Sequence, residues 1–308
     1  MRPHECLDEA LCTRPPSRAK SKCNHFQVKN ARASEKLKLI PYVGCKADFA
    51  KIFDDLMPPD TGRVYDLFGG GGAFTFYACA KYGSRNVTYN DNNPVITNLM
   101  LSLGNDPGRL HAEYERHRSR HSPDYYLEVR DMDHEDGIRG AGRFFYLAKN
   151  AFSGKIRFNS KNRFNSPMRK GGSCPMVDPE HLTMLSNLIT NLTITCEDFR
   201  YFEGLEDSFI YLDPPYMNNY NGHYNQTVPV CRFSRFLHSA SPGNHVMISE
   251  QGDPEGLGLP AGYTAYRIIL RRSLQYFTRR ESSEIIAVNY DTGIKGKSIP
   301  PHRSPLPA

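Results

Sequence analysis

The sequence predicts an α/β fold: a doubly wound, mostly parallel sheet interrupted by an inserted region. Three observations predict it. The apolar run Val64-Tyr65-Asp66-Leu67-Phe68 leads straight into Gly69-Gly70-Gly71-Gly72 and then into a helix-compatible stretch, Ala73 to Tyr82. Strand, tight turn and helix in that order make a nucleotide-binding βα unit. A second apolar run, Phe209 to Leu212, closes on Asp213-Pro214-Pro215-Tyr216. Between the two, the core pattern gives way to segments rich in charge, His, Asn, Ser and Gly, as suits a binding insertion held by a rigid scaffold.

The elements follow in order. After the glycine unit, Asn86 to Asn90 reads as the next strand and ends at Asp91; Pro94 can then open a helix, where its missing amide costs nothing. Residues 105–136 are rich in charge, His, Pro and Tyr, and residues 143–175 combine basic side chains with Asn, Ser, Gly and Phe. The core pattern returns at Leu192 to Cys196 and at Phe209 to Leu212, with further candidate strands at Val246 to Ser249, Ser273 to Phe277 and Ile285 to Asn289.

Composition bounds the class. With 308 residues, 39% hydrophobic and 23% charged, the chain can bury a sizeable core, either as one large α/β domain or as a catalytic domain carrying a smaller module. No run approaches the ~18 apolar residues of a membrane span. Eight cysteines without a compact framework point to a reduced, intracellular protein, and Cys6, Cys12, Cys23 and His25 lack the CxxC pairing of a zinc site. The net charge of +6 is unevenly spread: from Arg143 to Gly172 there are eight Lys or Arg and no acid, an electrostatic footprint for phosphate.

Two constellations carry chemistry. Asp66, near the end of the first strand, and Asp91, at the end of the next, converge on the crevice outside a parallel sheet, where glycines allow a ligand close to the backbone. Asp66 can meet the amino group of a methionine-like tail, and Asp91 can accept bonds from ribose hydroxyls. The run is not GxGxxG, and the two acids suit S-adenosylmethionine better than a pyrophosphate; taken alone, the glycine region fits a nucleotide-like ligand or a structural turn equally well. Tyr42-Val43-Gly44-Cys45-Lys46 offers another wall, with Gly44 permitting close approach and Lys46 offering a charge to a cofactor carboxylate. In the second constellation, Asp213 and the Pro214 carbonyl can accept N–H bonds from an amino-bearing heterocycle. Pro214 and Pro215 stiffen the backbone, and Tyr216 stacks on the ring.

At these residues the chain resembles the Dam-like, D12-class family of adenine-N6-specific DNA methyltransferases, over roughly residues 37–291. Pro41 to Lys46 resembles the family's early cofactor segment; Asp66-Leu67-Phe68-Gly69-Gly70-Gly71-Gly72 its glycine motif; Asp91-Asn92-Asn93 its ribose-binding position. Cys196-Glu197-Asp198-Phe199 is similar to the segment before the catalytic strand, and the resemblance implies that Asp198 meets the amino group of the cofactor adenine while Phe199 holds its ring. Phe144 to Leu147, Asn150 to Gly154, Arg157-Phe158-Asn159 and Arg163-Phe164-Asn165-Ser166-Pro167 resemble the family's DNA-recognition region. There Lys155, Arg157, Asn159, Lys161, Arg163, Asn165, Arg169 and Lys170 are the candidate DNA contacts, with Arg and Asn also suited to base edges. Two departures stand out: Asp66 where Glu is frequent, and Ser249-Glu250 where a Ser-Asn pair is common.

The resemblance implies a Rossmann-like S-adenosylmethionine-dependent methyltransferase core with an inserted DNA-recognition region. Residues 1–35, outside the resemblance, are expected to be a flexible basic extension or a lightly ordered arm, residues 36–104 the first part of the core and residues 105–190 the recognition region. Residues 191–291 form the second part of the core and residues 292–308 a tail. It implies methyl transfer from S-adenosyl-L-methionine, leaving S-adenosyl-L-homocysteine, to N6 of an adenine flipped from double-stranded DNA, with no catalytic metal. The alternatives are N-methylation of RNA or another planar amine, and a nucleic-acid-binding protein without transferase activity. A cytoplasmic, nucleoid-associated or phage-like setting is expected, with a cognate restriction endonuclease as a possible partner and no membrane.

Overall fold

The computed structural model describes residues 37–42, 46–133, 135–171, 173–215, 228–250, 258–272, 280–294 and 298–299. Among the described residues, eight strands form one sheet: β1 Arg63–Asp66, β2 Val87–Asn90, β3 Thr193–Thr195, β4 Ser208–Leu212, β5 His245–Glu250, β6 Thr264–Arg272, β7 Arg280–Val288 and β8 Ser298–Ile299, in the order β3-β2-β1-β4-β5-β7-β6-β8. The first five pair in parallel, β7 runs antiparallel to both β5 and β6, and β8 pairs in parallel with β6. From β1 the chain winds outward through β2 to β3, then returns to lay β4 on the other side of β1. That reversal opens a crevice at the carboxyl ends of β1 and β4, where ligands of doubly wound sheets bind.

Alternation along the strands explains the two-faced core. Phe209 and Tyr211 of β4 join the apolar cluster on one face, while Ile210 and Leu212 join that on the other, and β5 splits Met247 from Val246 and Ile248 in the same way. The first face is covered by α1 Ala50–Leu56 and α2 Ala73–Tyr82; the second by a 3-10 turn, Phe199–Phe202, and α8 Val230–Ala240.

The region expected to be an irregular insertion is largely helical. It holds α4 Pro107–Arg118, α5 Pro123–Asp131, α6 Gly137–Asn150 and α7 Pro179–Leu188, preceded by α3 Pro94–Asn105. Four of these helices start alike, at Asn93-Pro94, Asp106-Pro107, Ser122-Pro123 and Asp178-Pro179: the first side chain accepts an amide of the opening turn, and proline follows at its tolerated position. Leu110, Tyr114, Tyr126, Phe144 and Phe145 of these helices belong to the same continuous core as β1, β2 and β4, so the insertion is packed onto the sheet's helical layer. No helix among the described residues is long and apolar enough to cross a membrane.

The candidate strand at Ser273 to Phe277 lies outside the described residues, as do the N-terminal arm with Cys6, Cys12, Cys23 and His25, and most of the C-terminal tail.

Candidate active site

Three carboxylates meet at the crevice because three adjacent strands end there. Asp66 is the last residue of β1, 1% exposed; its Oδ2 accepts from the Thr75 hydroxyl at 2.6 Å, and its Oδ1 is buried with no hydrogen-bond partner. Burial, with smaller contributions from Asp213 and Asp91, raises its pKa to about 7. The buried Oδ1 is left with room for one more hydrogen-bond donor.

Asp91, just past β2, is buried as well, and each of its oxygens already holds a backbone amide: Oδ2 that of Gly70 at 2.9 Å, Oδ1 that of Asn93 at 2.9 Å. Burial dominates and raises its pKa to about 6. The glycine loop is shaped by its neighbours. A Cβ on Gly69 would lie 2.1 Å from the Tyr89 ring, and those on Gly70 and Gly71 would each press 3.2 Å from Tyr42, whose ring therefore lies along the loop. Gly72 sits at φ 78, the left-handed region, and turns the chain into α2.

The other wall is aromatic. Phe68 and Phe199 face each other with centroids 5.4 Å apart, and Phe199 packs on Phe233 and Phe236. Asn90, fully buried, ties this wall to the sheet: its amide donates to the Leu67 and Glu197 carbonyls while its oxygen accepts from Thr195 and the Glu197 amide. Asp198 is exposed, and Arg200 donates to both of its oxygens, at 2.8 and 3.1 Å, which holds its carboxyl below the usual range. Asn92 is exposed at the mouth of the crevice.

Asp213 follows β4. The Lys46 ammonium donates to its two oxygens at 2.9 and 3.0 Å, and the Ser249 hydroxyl donates to Oδ1 at 2.8 Å; Tyr211 in turn shares a hydrogen bond with Ser249. Lys46, expected beside a cofactor carboxylate, is thus joined to Asp213 across 167 positions of sequence and lies 3.5 Å from the buried Glu284. Pro214 is buried and Pro215 half-buried. Tyr216 and Gly44 lie outside the described residues.

The basic stretch divides by structure. Arg143 is buried and donates to the carbonyls of Val129, Arg130 and Met132, closing the end of α5. Burial lowers the pKa of Lys149 to about 8. The rest lies on a hairpin-like loop: Phe158 and Phe164 pair antiparallel, and the Asn165 amide bonds the Arg157 carbonyl at 2.9 Å. Asn159 is the organiser of its tip, its side-chain oxygen accepting from the amides of Lys161 and Arg163 at 3.0 Å each. Lys161, Arg163, Asn165 and Lys170 are exposed, and Lys155, Arg157 and Arg169 half-buried. Arg163 also pairs with Asp133, and Arg169 donates to the Ser173 carbonyl.

The family of D12 class N6 adenine-specific DNA methyltransferases matches residues 42–238, and the chain belongs to it. Its doubly wound sheet is accordingly a Rossmann-like methyltransferase core. Among curated relatives, the Type II methyltransferase M1.LlaDCHI of Lactococcus lactis subsp. cremoris is 26% identical over 285 residues, 85% of this chain and 99% of its own. M.MjaIII of Methanocaldococcus jannaschii is 25% identical over 74% of this chain and 88% of its own, and M.CviBI of Paramecium bursaria Chlorella virus NC1A is 29% identical over 58% and 68%. Of solved structures, the rRNA methyltransferase aviRa from Streptomyces viridochromogenes aligns over 80% of this chain and 84% of its own, at 15% identity and a TM-score of 0.37, a likeness too loose to bear on function.

Three residues of the site are not reached by sequence reasoning: Thr75, Asn90 and Glu284. None belongs to a run with a chemical signature; Asn90 alone carried a signal, as a polar residue ending an apolar strand.

Proposed function

We propose that this DNA methyltransferase uses S-adenosyl-L-methionine to methylate N6 of an adenine extruded from double-stranded DNA, releasing S-adenosyl-L-homocysteine. The observation that carries this reading is the convergence of Asp66, Asp91 and Asp213 at the carboxyl ends of three neighbouring strands. The free oxygen of Asp66 fits the ammonium of the cofactor tail, Asp91 the ribose and the Phe68–Phe199 wall the adenine. Gly69, Gly70 and Gly71, with no side chain to clash with Tyr89 or Tyr42, let the loop turn tightly beside the cofactor, and Tyr42 lies along it. Asp198 takes the cofactor's amino group beside Arg200, and Asn92 flanks the ribose.

When bound, the cofactor supplies an electrophilic methyl group on a sulfonium. The residues that act on the target are Asp213 and the Pro214 carbonyl, which accept from the two N6 hydrogens and hold the amine in line, with Tyr216 stacked on the ring and Pro215 stiffening the turn. As the N–C bond forms and the S–C bond breaks, N6 gains positive charge. The Asp213 carboxylate stabilises that charge until N6 releases its proton to solvent. Lys46 and Ser249 fix the carboxylate so that it need not reorganise.

Lys155, Arg157, Lys161, Arg163, Arg169 and Lys170 supply attraction to phosphate. Arg157, Arg163 and Asn165 also have the directional donors needed for base edges, while Asn159 shapes the loop that presents them. The core of residues 36–104 and 191–291 thus performs the transfer, and residues 105–190 the recognition. The setting we infer is cytoplasmic DNA, at a nucleoid or a phage-like genome, with a cognate restriction endonuclease reading the same site.

The test offers labelled cofactor with matched DNA duplex, RNA and peptide. Label should appear only in DNA, and Asp213→Ala should slow single-turnover transfer by roughly 10²–10³-fold while cofactor affinity changes little. Exclusive transfer to RNA or peptide, or near-normal transfer by Asp213→Ala, overturns the reading.

A further inference from the structure

The tip of the hairpin touches the cofactor side of the crevice. Asn162, at φ 54, occupies the left-handed region that Asn tolerates better than most residues, and its side chain leaves the hairpin toward Asn93, 69 positions away. The orientation of the Asn93 amide is fixed by its cap. Its Oδ1 accepts the Val95 amide at 3.0 Å as the cap of α3, so its Nδ2 is the group that faces Asn162, donating to Oδ1 at 3.2 Å. The return contact, from Asn162 Nδ2 to Asn93 Oδ1, is 3.5 Å.

Asn93 is itself wired to the crevice. Its backbone amide donates to Asp91 Oδ1 at 2.9 Å, and the other oxygen of Asp91 holds the Gly70 amide at 2.9 Å. A continuous chain of hydrogen bonds therefore runs from the hairpin tip through the cap of α3 and Asp91 to the glycine loop. The tip is rigid enough to transmit a displacement: Asn159 braces it from within, and the Asn162 amide bonds the Asn159 carbonyl at 2.9 Å.

We propose that Asn162 is a positioning residue that couples the two substrates of the reaction: its contact with Asn93 seats the DNA-reading hairpin in register with the Asp91–Gly70 loop, so that occupancy of either site strengthens binding at the other. This rests on the assignment of the crevice to the cofactor and of the hairpin to DNA. The coupling is reciprocal, because linkage requires each ligand to raise the affinity of the other by the same factor.

The experiment measures the dissociation constant of S-adenosylhomocysteine with and without a duplex carrying the enzyme's methylation site, and that of the duplex with and without S-adenosylhomocysteine. The full chain is used as wild type, Asn162→Gly and Asn162→Asp. Glycine keeps the backbone conformation and removes the amide; aspartate keeps an acceptor for Asn93 Nδ2. The two wild-type ratios should agree, Asn162→Gly should reduce both by about fivefold, the scale of one hydrogen bond, and Asn162→Asp should retain them. The cofactor KM at saturating DNA should rise in Asn162→Gly while kcat holds. An undiminished ratio in Asn162→Gly, or an equal loss in Asn162→Asp, overturns the proposal with the functional reading intact; absence of S-adenosylhomocysteine binding by the wild type overturns both.

Discussion

At the scale of single residues, Asp66 is the group whose chemistry is most exposed to test. Its carboxyl is raised to about 7 by burial first and by two neighbouring carboxylates second, and one of its oxygens has no partner. Because the native pKa exceeds the unfolded one, ionisation costs the empty protein stability: that stability is greatest at low pH and falls as pH rises from about 4 to about 7. On the proposed function, the ammonium of the cofactor tail reverses the preference by pairing with the ionised form. Affinity for S-adenosylhomocysteine should therefore be flat above pH ~7 and weaken about tenfold for each unit below it, as binding must first expel a proton. Titration calorimetry checks this, with Asp66→Asn expected to bind weakly and without the pH dependence. A wild-type affinity that does not change between about pH 5.5 and 8 would remove the ammonium from Asp66.

At the scale of elements, a count of basic residues misjudges the recognition region. Arg143 closes α5 by giving three hydrogen bonds to carbonyls, so its removal leaves buried acceptors unsatisfied. Arg143→Leu should lower unfolding free energy by roughly 2–4 kcal/mol in urea titrations and leave the salt dependence of DNA binding of the folded enzyme unchanged. Arg157→Ala and Arg163→Ala should behave oppositely, with stability nearly unchanged. A loss that is uniform across DNA sequences, with a shallower salt slope, marks a phosphate contact, and an altered methylation motif marks a base contact. An Arg143→Leu protein as stable as the wild type would contradict the structural division of the stretch. The helices themselves were poorly legible, since α4 and α5 bury Tyr, His and Leu among charged residues and offer no clean apolar period. Their capping side chains and prolines were present in the sequence all the same, at Asp106-Pro107, Ser122-Pro123 and Asp178-Pro179.

At the scale of the whole molecule, the parts of the site carried by one strand and its following turn are readable: Asp66, Asp91 and Asp213 each stand at or just past the end of a predicted strand, and α2 spans the predicted Ala73–Tyr82. What joins those parts is not. Lys46 reaches Asp213, Asn93 reaches Asn162 and Asn90 reaches Glu197, and these contacts are set by strand order and by the packing of α3 and α6, which no local pattern encodes. β6 was likewise missed, because Arg267, Arg271 and Arg272 break up its apolar run. On the proposed function, the product of the assembled crevice is one adenine, in one DNA context, carrying one methyl group on N6. The most direct measurement is methylation of a randomised duplex library by the purified chain with S-adenosylmethionine, followed by base-resolution mapping. N6-methyladenine should appear, confined to a reproducible short motif. Modification confined to cytosine, or N6-methyladenine scattered without sequence preference, would contradict the proposed function.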